Sequence, residues 1–176
     1  MKRFGWYVPV VVALLLGTFL AVNLIPENRG MTSNIDNVPR QLSGFQLTST
    51  ITGQEALSSI QKMHIGSPGA IKEAIIATYS GTLNRKIELW VSDFANNEVT
   101  GTTLLATVDG IRKYPDLGFS TPEKRSLTNL DVYVSEGAGG INVFWAEENR
   151  IVYLLISNVS LVDALNITQG YMDQFG

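Results

Sequence analysis

Between Trp6 and Ile25 the chain carries no charged side chain, and this run, WYVPVVVALLLGTFLAVNLI, limits what its first part can become. Wound into a helix at about 1.5 Å per residue, these 20 residues reach about 30 Å, the thickness of a bilayer's hydrocarbon core. Pro9 falls in the first turns, where a missing N–H is tolerated. Trp6 and Tyr7 suit the headgroup boundary, and Leu14, Leu15, Leu16, Phe19 and Leu20 suit the lipid tails. Lys2 and Arg3 precede the run, so the positive-inside rule puts the N-terminus in the cytoplasm and the remaining chain on the far side. A cleaved signal peptide is a rival reading, but its apolar run is usually about 7–15 residues and ends in a small-x-small site. Here the run is longer, and Ala21-Val22-Asn23-Leu24-Ile25-Pro26 offers no Ala-x-Ala. A buried core helix rarely goes so far without a charge. The expected organisation is a cytoplasmic stub at 1–5, one transmembrane helix at 6–25, a polar linker at 26–41 and an extracytoplasmic domain at 42–176.

Beyond that run the charge has a sign. From Pro26 onward all 16 acidic residues face 11 basic ones (13 less Lys2 and Arg3), a formal charge of −5. An acidic body without a basic stripe argues against nucleic acid as a partner, because phosphate binding needs clustered cations. It argues equally against a body lying flat on anionic lipid. Cysteine is absent, which excludes thiol catalysis, cysteine-ligated metals, disulfides and a cysteine-linked lipid.

Within the body, Glu27–Arg40 is polar and shows no apolar period, as a linker does. Leu42, Phe45 and Leu47 open the folded part. Thr52 and Glu55 have the spacing of a capping box, and Ala56, Leu57, Ile60 and Met63 follow at helical spacing. Ile71–Tyr79 reads as a strand. In Lys86–Ser92, Ile87, Leu89 and Val91 alternate with Lys86, Glu88 and Trp90, the period of a half-buried strand. Leu104, Leu105, Val108 and Ile111 predict a helix over 98–113, and Tyr114–Lys124 reads as loop. Strands at Asp131–Ser135, Ile141–Ala146 and Arg150–Ser157, joined by tight turns, predict an antiparallel meander. Ser160 is placed to cap a closing helix with Leu161, Ala164, Leu165, Thr168, Tyr171, Met172 and Phe175 along one stripe. The fold expected is α+β, an antiparallel sheet of about five strands packed by about three helices.

Chemistry is harder to find. His64 is the only histidine, so a general base or pH latch would have to be this residue, but a position just past a helix end is as well explained by the helix dipole. One histidine without cysteine gives no transition-metal set. Gly137-Ala138-Gly139-Gly140 lacks the Lys-Ser/Thr of a phosphate loop and reads as a hairpin turn. Glu147 and Glu148 are adjacent and cannot face each other as an acid–base pair. Asp93, Asn96, Asn97 and Glu98 do not have calcium-loop spacing and read as a helix-capping loop. Asn158-Val159-Ser160 and Asn166-Ile167-Thr168 match the glycosylation pattern, the second on an apolar helix. No nucleophile motif is present, and no cofactor or metal is expected.

Trp90, Tyr133, Phe144 and Trp145 remain as candidate binding residues, with His64. Aromatics on the sheet face opposite Leu89 and Val143 must meet either covering helices or a ligand. The expected function is binding rather than catalysis: an anchored domain engaging another envelope protein, or else a ligand-sensing domain with a pocket between sheet and helices.

Overall fold

The computed structural model describes residues 38–63 and 71–175. They build one eight-stranded antiparallel sheet. In chain order the strands are β1 (Gln41–Leu42), β2 (Phe45–Thr52), β3 (Glu73–Ser80), β4 (Lys86–Asp93), β5 (Glu123–Leu127), β6 (Leu130–Gly137), β7 (Gly140–Glu147) and β8 (Arg150–Ser157). Helix α1 (Gly53–Met63) joins β2 to β3, α2 (Asn97–Lys113) follows β4, and α3 (Leu161–Phe175) closes the described chain. The spatial order β1-β2-β3-β4-β8-β7-β6-β5 puts β8 in the middle, against β4, although it is the last strand in sequence.

Tight turns set the register. Ala138 and Gly139 take φ of 51° and 84°, the paired left-handed geometry of a two-residue hairpin, and so align Tyr133 with Phe144 and Val134 with Val143. Gly140, next in line, has no room for a side chain, since a Cβ there would lie 2.5 Å from the Ile156 carbonyl oxygen. Leu83 and Asn84 make the same kind of turn between β3 and β4, at φ of 58° and 57°. A leucine pays more for this conformation than glycine or asparagine would.

Alternation along the strands sorts the side chains onto two faces. One face carries Ile75, Ala77 and Tyr79 of β3, Ile87, Leu89 and Val91 of β4, Val143 and Trp145 of β7, and Val152, Leu154 and Ile156 of β8. Helix α3 lies on it with Ala164, Ile167, Tyr171 and Met172, and Leu42 and Phe45 join the same core. The opposite face is covered in two places. Ala56 and Ile60 of α1 pack on Ala74 and Ile76, while Leu104 and Val108 of α2 pack on Phe144. Helix α2 is begun by Asn96, whose side chain accepts from the Val99 N–H at 3.0 Å, and α3 by Ser160, whose hydroxyl accepts from the Asp163 N–H at 3.1 Å.

The sheet corrects the expected strand count from about five to eight. The additional strands, β1, β2 and β5, lie toward the two edges, where the apolar period is weakest. In β5 every residue but Leu127 is exposed, and in β2 only Phe45 is buried. Edge strands gain their place from backbone pairing and bury little, so they leave almost no apolar pattern to read. The membrane element of the expected fold is not supported either, since no helix among the described residues is long and apolar enough to cross a membrane. The segment 6–25, with Trp6, Tyr7, Leu14, Leu15, Leu16, Phe19 and Leu20, lies outside the described residues.

Candidate functional site

Register carries four aromatic rings into one row across the α1/α2 face. Trp90 of β4 pairs with Tyr153 of β8, Tyr153 with Phe144 of β7, and Phe144 with Tyr133 of β6. Successive ring centroids lie 5.5, 6.0 and 5.8 Å apart, within the range of favourable aromatic contacts. The two helices seat on different ends of this row. Helix α2 buries Phe144 and flanks Tyr133 and Tyr153. Helix α1 packs mainly on β2 and β3, so Trp90 sits at the margin of its cluster and stays half-buried. Its indole Nε1 is wholly enclosed and meets no hydrogen-bond partner. What Trp90 shows to solvent is therefore ring carbon.

The next row along the sheet is polar. It runs Thr78, Glu88, Leu155, Asn142 and Ser135 across β3, β4, β8, β7 and β6. The Tyr153 hydroxyl donates to Asn142 Oδ1, and Asn142 Nδ2 donates to the carbonyls of Ser135 at 3.2 Å and Gly137 at 3.0 Å. This ties the aromatic row to the polar one and satisfies a fully buried amide. Burial pushes the Tyr153 hydroxyl well above its ordinary range, and the nearby Glu88 carboxylate adds to the rise. Glu88 accepts from Lys86 Nζ at 2.5 Å, with the two side chains 27% and 32% exposed.

A second polar group stands on the α3 face, at one end of the sheet. Glu73, Asp93, Arg150 and Glu147 are cross-strand partners in series. Arg150 Nε donates to Asp93 Oδ1 at 2.8 Å and Nη2 to Oδ2 at 3.5 Å. This bond raises Arg150 above its usual range, burial opposing it. The fork holds β4 to β8 where the two strands end. Among the described residues no three carboxylates or histidines are grouped to hold a metal ion.

Of the residues singled out from sequence, Trp90, Phe144 and Tyr133 are brought together, while Trp145 is not. Phe144 and Trp145 are neighbours on one strand and point to opposite faces, so Trp145 lies in the α3 core, fully buried, edge-on to Tyr171 at 5.6 Å. His64 lies outside the described residues. Tyr153 was the missing member. A turn centred on Glu148 and Asn149 pairs Glu147 with Arg150 and hence Phe144 with Tyr153, so counting back from that turn would have found it. Of the two glycosylation matches, Asn158 has its Nδ2 donating to the Asn84 carbonyl at 2.8 Å, while Asn166 is exposed on α3 and its sequon partner Thr168 is buried, the hydroxyl donating to the Ala164 carbonyl.

No family model matches the chain, and no curated protein matches it. Among solved structures, the extracellular domain of PknH from Mycobacterium tuberculosis aligns with it at a TM-score of 0.48 and 14% identity, over 75% of this chain and 84% of that one. At that level the chain's function has to be read from its own residues.

Proposed function

We propose that the chain is an extracytoplasmic binding domain that senses a small ligand on the strip of β4 between α1 and α2. The observation that carries this reading is the half-buried Trp90, its indole nitrogen enclosed, at the margin of the cluster under α1 and outside the cluster under α2. Aromatic carbon of this size left partly open at the centre of a sheet is a common base for ligand recognition. In the same reading the charge-free segment 6–25 holds the domain at a membrane, with Lys2 and Arg3 on the cytoplasmic side, and another envelope protein reads the bound state. The acidic body and the direction of the charge bias support that placement.

The test is a thermal-shift screen of the full-length protein against a small-molecule library, repeated with Trp90→Leu. A true ligand raises the midpoint by mass action, and Trp90→Leu abolishes the rise. Hits that survive the substitution, or no hits, overturn the site. Placement is tested separately: the chain lacks cysteine, so Asn149→Cys in an exposed turn gives one label site. Intact cells should label with an impermeant maleimide, and labelling only after lysis overturns the extracytoplasmic reading.

A further inference from the structure

Glu88 lies two residues before Trp90 on β4, hence on the same face, one step along the strip. A carboxylate beside apolar floor is costly unless a cation answers it. The chain answers with its own ammonium, Lys86 Nζ on Glu88 Oε1. Trp90 meanwhile exposes only carbon, and its ring face attracts cations through the quadrupole. The Tyr153 hydroxyl beside it is already spent on Asn142, and the domain's charge of −5 repels anions. A half-buried aromatic ring, a carboxylate and the lysine that contacts it thus follow one another along one face of β4.

Resting on the reading of this strip as a ligand site, we infer that its ligand is an organic cation, an amine or quaternary ammonium whose charged group lies over Trp90 and displaces the Lys86 ammonium from Glu88. Lys86 acts as the stand-in, its ammonium holding the place on Glu88 Oε1 that the ligand cation takes. Glu88 selects charge, Trp90 supplies surface, and Leu155, opposite Glu88 on β8, supplies an apolar wall.

The probes are tetramethylammonium, choline and butylamine, against 3,3-dimethylbutan-1-ol, a neutral molecule of choline's shape. The readout is the Trp90 indole N–H resonance of the full-length protein, told apart from those of Trp6 and Trp145 by single Trp→Phe changes. At least one cation is expected to shift that resonance saturably and bind about tenfold more tightly than the alcohol. Glu88→Gln should erase the preference, and Lys86→Met should tighten cation binding several-fold by removing the competitor. If the alcohol binds as well as the cations, the charge inference falls while the ligand strip stands. If the alcohol and neutral aromatics bind and no cation does, the inference likewise falls alone. When no probe or library compound moves the Trp90 resonance, both fall together.

Discussion

The two faces of this sheet are built from the same strands but to different standards of closure. Under α3, every inward side chain of β4, β7 and β8 between the terminal charged row and the far turns is buried, and the face is sealed by Tyr171, Met172, Ile167 and Ala164. On the α1/α2 face, Thr78, Glu88, Trp90, Tyr153 and Leu155 are all only half-buried, because the two helices cover the flanks and leave β4 between them. One face is a core and spends its apolar area on stability. The other keeps part of its aromatic area accessible, which a domain stabilised by its first face can tolerate.

This contrast makes unequal demands on similar substitutions. Trp145→Ala on the sealed face should destabilise by about 4 kcal/mol in urea unfolding, the usual cost of an emptied large aromatic site. Trp90→Ala should cost about half as much, since that ring is already partly in water. Equal losses would show that the β4 strip is ordinary core. Tyr153→Phe comes next, at about 1–2 kcal/mol, because it leaves the buried Asn142 amide oxygen without its donor. Tyr153→Phe should leave cation binding to the strip nearly unchanged, a result that separates the ring's role from the hydroxyl's.

Alkaline pH offers a gentler probe. Burial, with nearby carboxylates adding to it and Arg150 opposing it, pushes the Tyr171 hydroxyl up to about 12. Its ordinary value is about 10, so the folded chain holds this proton more tightly than the unfolded one. The resulting stability is complete below about pH 10 and drains away as pH rises through about 12. Midpoints measured across that window should fall, and Tyr171→Phe should flatten the fall. Tyr79, fully buried with its hydroxyl unpartnered, is raised as well, first by burial and then by Tyr171, so it should steepen the decline on the same face. Smallest of all is Asp93→Asn, at about 1 kcal/mol or less, because Arg150 is 31% exposed and water screens the pair.

How much of this was legible in the sequence follows burial. Ile87, Leu89 and Val91 announced β4 because one of its faces is wholly inside. The meander was legible through its turns, Ala138-Gly139 above all. Strands β1, β2 and β5 were not, since Thr48, Ser49 and Thr50 in β2, or Glu123, Lys124 and Arg125 in β5, give no apolar signal when only the backbone pairs. At the candidate site, Trp90 and Phe144 could be chosen as bulky aromatics on predicted strands. Trp145 could not be separated from Phe144 until strand alternation was applied strictly, and Tyr153 required the register of a turn. Glu88 looked like an ordinary outward charge in an alternating strand. Its significance depends on which helix covers which strand, and no local pattern encodes that.

The place of β8 has a consequence for how the chain comes into being. Arg150 and Asp93, partners across the middle of the sheet, are 57 residues apart in sequence. A ribosome releases the N-terminal strands first, so β4 waits with one flank unpaired until nearly the whole domain has emerged. Until then the nascent chain presents two partial sheets, each with an open edge that another chain's strand could occupy. Closing the gap requires a late insertion between strands already formed, a step slowed by the long loop it must close. Slow synthesis near β8, or truncation before it, should favour aggregates over soluble half-domains, and chaperone dependence should concentrate in that interval.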